Sequence, residues 1–129
     1  MTDLSRFATI AGAVLGGLSV AGGAFGAHFL RESLAASGHA ATWETGARYA
    51  MYHAVALLAV AQRATDFPTN ARLRTAAWCF LAGTLIFSGC LQLLAVTGMT
   101  PLGGVVPIGG VLLIAGWLAL ATSAIWPGG

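Results

Sequence analysis

Lysine is absent from this chain of 129 residues, and acidic residues number only four. Charged residues make up 8 % of the sequence, against roughly 25 % in a soluble domain. So few charges cannot cover one domain of this size with polar surface, and 57 % of the residues are hydrophobic. The surface therefore faces something other than water, and lipid fits. The same balance excludes a disordered chain. Six arginines bring the net charge to +2. They are scattered, with no basic run and no interleaved aromatics, so nucleic-acid binding has no support. Cysteine is scarce as well. Cys79 and Cys90 share one apolar stretch and on a helix lie about 16 Å apart along the axis, too far for a disulfide. Catalytic signatures are missing too: no nucleophile–base motif, phosphate loop or paired carboxylates, and no His/Cys spacing of the zinc type.

Four apolar stretches dominate what is there. They predict an all-α integral membrane four-helix bundle. One membrane domain covers residues 1–129, with spans at about 7–27, 43–63, 75–96 and 104–126. The first, third and fourth carry no charge and are long enough to cross ~30 Å of hydrocarbon. The first has an alternative reading as a secretion signal, through a weak cleavage site at Ala24-Phe25-Gly26. The second is unusual. Its later half is apolar, but its first half holds Glu44, Arg48, Tyr49, Tyr52 and His53.

The connections set the topology. Between the first two spans, Phe29, Leu30 and Leu34 fall on one side of a helical wheel and Arg31 and Glu32 on the other, with Gly38 as a stop. A short interfacial helix is expected there. The second connection is polar and holds Arg63, Arg72 and Arg74; the third is short and uncharged. With four spans, Arg6, Arg63, Arg72 and Arg74 share a side with both termini, against Arg31 and Arg48 opposite. That imbalance places the termini in the cytoplasm.

Small residues substitute for hydrophobic drive in helix packing within lipid. The first span carries Gly12-x-x-x-Gly16, Ser19-x-x-x-Gly23 and Gly22-x-x-x-Gly26, and is expected to be central. The seam is read as packing within the chain, with a homo-oligomer contact as the sharper alternative. Gly109, Gly110 and Gly116 give the fourth span a similar face. Its helix is expected to begin near Pro107, which suits a first-turn position; a break at membrane depth is the alternative.

On a helical wheel, Glu44, Arg48, Tyr49, Tyr52 and His53 fall within one arc of about 180°. That arc is expected to face the bundle, leaving Ala50, Met51, Ala54, Leu57 and Leu58 for lipid. Glu44 and Arg48 form an i,i+4 pair. Thr84, Ser88 and Gln92 make a polar stripe on the third span. These features converge in the outer half of the bilayer. A buried polar cluster of His28, Glu44, Arg48, Tyr49, Tyr52, His53, Ser88 and Gln92 is therefore expected, either as a mutual network or as a ligand or proton pathway. No metal or cofactor is expected. A haem between His28 and His53 would need them at one depth, and they differ by about 10 Å.

Gly23-Ala-Phe-Gly-Ala-His28, Trp43 with Tyr49 and Tyr52-His53-Ala54, Phe87-Ser-Gly89, Pro107-Ile-Gly-Gly110 and Gly116-Trp117 follow one another in order. The series resembles the YgdD-type family of small bacterial inner-membrane proteins of unknown function, to which the vertebrate transmembrane-protein-256-like proteins are related. The resemblance implies a four-helix membrane protein without assigned enzymatic activity, and supplies no reaction. The chain departs from the family pattern at Ser88-Gly-Cys-Leu-Gln92, where relatives end in Tyr, and at Arg31, more often Lys. Any role resting on a Tyr at position 92 is thereby in doubt. The expected function is a non-enzymatic accessory or scaffold protein in the bacterial inner membrane, acting through a membrane-protein partner or a homo-oligomer. The alternative is a carrier or receptor for a small polar ligand or a proton; a third reading is a membrane enzyme using His53 as acid or base.

Overall fold

The structure, a computed structural model, describes residues 1–128. Its order is α1 (Asp3–His28), α2 (Arg31–Ser37), α3 (Ala40–Asp66), α4 (Ala71–Thr97), a 3-10 turn (Thr100–Gly104) and α5 (Val106–Ile125). No strand occurs among the described residues. The helix ends follow local chemistry. Thr2 caps α1 by accepting the Ser5 amide, and Asp3 meets the positive end of the helix dipole. Asn70 caps α4, its Oδ1 accepting the Arg72 and Leu73 amides at 2.9 and 3.2 Å. Gly38 and Gly98 end α2 and α4 with φ of 75° and 69°, where a side chain is strained. Pro107 sits in the first turn of α5, so the helix starts there rather than breaking.

The short helix between the first two long ones is present, and Gly38 stops it. Its apolar side does not turn inward as a whole. Leu34 is buried, whereas Phe29 is exposed and stacks on Phe25 at 5.2 Å.

α1 packs along α3, α3 along α4 and α4 along α5, while α1 only brushes α4. α3 and α4 are therefore the central pair, and α1 lies at an edge. The expectation of a central first helix is corrected. Glycine lets α1 approach closely, but it does so toward α3 alone: a Cβ on Gly12 would lie 2.8 Å from the Ala54 carbonyl. Alanine fills much of the core, around the fully buried Phe80, Leu57, Leu73 and Val60. α1, α4 and the Thr100–Ile125 stretch are long and apolar enough to cross a membrane. α3 is as long as α4 but carries Glu44, Arg48, Arg63 and Asp66, which keeps its hydropathy lower. The end of the molecule holding both termini is tied by polar contacts. Thr2 Oγ1 donates to the Ala64 carbonyl (3.2 Å), and Asn70 Nδ2 donates to the Pro127 carbonyl (3.0 Å).

Candidate functional site

The buried side of α3 is set by its small residues. Gly46, Ala47, Ala50, Ala54, Ala61 and Ala64 are buried with Leu57 and Val60, because they let α1 and α4 come close on two sides. Glu44, Arg48 and Tyr52 point outward with Val55, Ala59 and Gln62. The buried arc is thus turned by about a third of a turn from the expected one. Ala50, Ala54 and Leu57, expected toward lipid, are in the core. The physical reason is that α3 has two packed neighbours, and close approach decided its rotation before polarity did. Glu44 and Arg48 are both exposed, and no ion pair joins them among the described residues; Arg48 Nη2 reaches only Thr45 Oγ1, at 3.5 Å.

Of the expected residues on α3, His53 is the one that goes fully inward, 4 % exposed and midway between the helix ends. Its Nδ1 lies 2.7 Å from the Tyr49 carbonyl, and Trp117 Nε1 lies 3.1 Å from its Nε2. A carbonyl only accepts and an indole only donates. Nδ1–H therefore donates to Tyr49 while Nε2 accepts from Trp117, which makes the imidazole neutral in the Nδ1–H form. Phe80 packs on both rings, at 5.6 Å from His53 and 5.1 Å from Trp117. Beside them lies a groove of about 460 Å³ between α3, α4 and α5, walled by Tyr49, Tyr52, Phe87 and Leu113.

Ser88 and Gln92 belong elsewhere. They line a separate cleft of about 120 Å³ where α1, α3 and α4 meet, together with Ser19, Ala50 and Thr84. Ser19 Oγ donates to the Ala47 carbonyl. The Thr84 and Ser88 hydroxyls are buried without a partner among the protein's own groups. Gln92 is half-buried and packs against Gly22 and Gly46. His28 is exposed at the end of α1. The expected single cluster is therefore two sites, with His28, Glu44 and Arg48 outside both. Among the described residues no three His, Cys, Asp or Glu side chains gather as metal ligands would.

The glycines also divide. Those at positions 12, 26, 109 and 116 sit where a Cβ would collide: with the Ala54 carbonyl, the Trp43 indole, the Phe87 backbone and the Phe80 ring respectively. Gly16 and Gly110 leave room for a Cβ, and Gly23 has nothing within 4 Å. Sequence reasoning missed Gly46 and Gly83, which meet Gln92 and Leu113. It also missed Trp117 and Trp43 as donors; Trp43 Nε1 donates to the Gly22 carbonyl at 2.9 Å. The available signal was an indole N–H within an apolar run, which needs an acceptor.

Three apolar helices of spanning length and polar groups turned into the helix seams define an all-helical membrane protein. The family model described as "Protein of unknown function (DUF423)" matches residues 22–110, and the chain belongs to that family. It is 42 % identical to the UPF0382 membrane protein YwdK of Bacillus subtilis over 94 residues, covering 73 % of this chain and 76 % of the relative. A UPF0382 membrane protein of Haemophilus influenzae is 43 % identical over 98 residues, with coverage of 70 % and 76 %. The UPF0382 inner membrane protein YgdD of Escherichia coli is 37 % identical over 112 residues, with coverage of 77 % and 79 %. The expected kinship with the YgdD-type proteins is thus shown. No solved structure matches.

Proposed function

We propose that the chain is a four-span protein of the bacterial inner membrane that acts, without catalysis, as an accessory or scaffold subunit for another membrane protein. In this reading α3 is the remaining span, α2 lies at the outer surface and both termini are cytoplasmic. The observation that carries it is the outward stripe of α3. Arg48 and Gln62 face away from the other helices, with Glu44 at its outer end and the half-exposed Tyr52 at the mouth of the groove beside His53. α3 is about 40 Å long, so hydrocarbon of ~30 Å centred on His53 leaves Arg48 about 7 Å from the midplane. A charge near mid-membrane costs roughly 2.5–3.5 kcal/mol on insertion scales. Snorkelling relieves part of that; a partner helix with an acceptor would relieve more. Gly17 and Gly23 on α1 leave open surface for close approach of another helix. The non-enzymatic reading rests on His53, whose two ring nitrogens are both engaged.

Native mass spectrometry of the full chain, extracted in mild detergent, tests this. A stoichiometric associate or a homo-oligomer is expected, and Arg48→Leu with Tyr52→Leu weakens it. A bare monomer across several mild detergents overturns it. A second reading, a carrier or receptor for a small polar ligand or a proton, draws support from the buried hydroxyls of α4 rather than from His53.

A further inference from the structure

Hydroxyls inside helices usually return to their own backbone, bonding the carbonyl three or four residues back. Thr9, Thr65, Thr75, Thr97, Thr122 and Ser123 all do so. Thr84 and Ser88 do not. They are 1 % and 5 % exposed, line the cleft between α1, α3 and α4, and find no partner within the protein. Thr84 lies midway between Ala71 and Thr97, the ends of α4. A buried hydroxyl without a partner is left desolvated with nothing in return, and two occur one turn apart on the same face.

We propose that this cleft is a hydrated site: a short file of water molecules running down α4 from Gln92 past Ser88 to Thr84. Spacing is the first argument. Residues four apart rise about 6 Å along a helix. One water accepting or donating on each side at about 2.8 Å spans that gap. One water thus bridges Thr84 to Ser88, and another bridges Ser88 to Gln92. Volume is the second. The cleft, open between Leu18 and Leu85, gives about 120 Å³ of room to the centres of water-sized spheres, where one water needs about 10–15 Å³. Charge is the third. The walls offer hydroxyls, a carboxamide and apolar side chains but no ionised group. An ion would enter without a counter-charge, so the occupant is neutral. Gln92 at the upper end faces Gly22 and Gly46, which have no side chains to block it. The site goes beyond the partner reading and stands independently of it.

The test uses the full chain in lipid nanodiscs. Water-to-protein magnetisation transfer is measured by NMR at Thr84 and Ser88, with Ser123, fully buried and bonded to its own backbone at the Leu120 carbonyl, as the control. Transfer is expected at Thr84 and Ser88 and not at Ser123. No transfer at Thr84 or Ser88 in the wild-type chain overturns the proposal, whether the cleft holds an acyl chain or the hydroxyls turn back on their helix. Thr84→Val and Ser88→Ala supply a second readout of opposite sign. A wet site loses bridged hydrogen bonds, and Tm falls by about 3 °C. A dry site sheds unsatisfied hydroxyls, and Tm rises; that rise also overturns the proposal. A variant that fails to fold leaves the wild-type measurement to decide.

Discussion

His53 stands midway along α3 with Nδ1–H bound to the Tyr49 carbonyl and Nε2 accepting from Trp117. The two partners fix the tautomer, and the ring becomes a clasp between α3 and α5, helices that otherwise barely meet. Trp117→Phe removes the donor and leaves Nε2 unpaired. It is expected to cost about 1–3 kcal/mol, read from unfolding in detergent. A variant as stable as the parent would show that the bond contributes nothing. The polar residues of this half of α3 were plain in the sequence, but their directions were not. Arg48 and His53 are five positions apart, and a modest rotation of the helix sends one out and the other in.

At the scale of the element, α5 lies against α4 at a distance that only glycine permits. A Cβ on Gly109 would be 2.5 Å from the Phe87 amide nitrogen and 2.9 Å from the Gly83 carbonyl, and neither is a flexible side chain. Gly109→Ala is therefore expected to destabilise by about 1–3 kcal/mol through overpacking. Gly23→Ala meets open space and leaves the chain at least as stable. Thermal unfolding of the pair checks this, and equal effects would show that α4 and α5 are not this close. Spacing alone marks both glycines as small residues on a helix. Which of them is covered depends on the neighbouring helix, which spacing cannot name.

At the scale of the whole molecule, the proposed topology turns on α3. Its hydropathy does not place it with the three apolar helices, yet it lies packed between α1 and α4. If α3 crosses, both termini share a side, and the arginine imbalance makes that side the cytoplasm. Fluorescent-protein fusions at either end are then expected to glow, and alkaline phosphatase there to stay silent. Termini on opposite sides would mean an odd number of crossings and would remove α3 from the membrane. The same result would withdraw the argument for the stripe of Glu44, Arg48 and Tyr52.

The sequence by itself determined the helices. Long apolar runs, Gly38 and Pro107 bound the segments through local backbone energetics, which need no knowledge of neighbours. It also placed the chain in its family, through motifs spread over most of its length. Only the tertiary structure decided that α3 and α4 are central, and that the polar residues divide between two seams and the outer face. The reason is that a helix's rotation is fixed by the closest fit of its small residues to its neighbours. Polar groups then take whichever partners that fit leaves within reach.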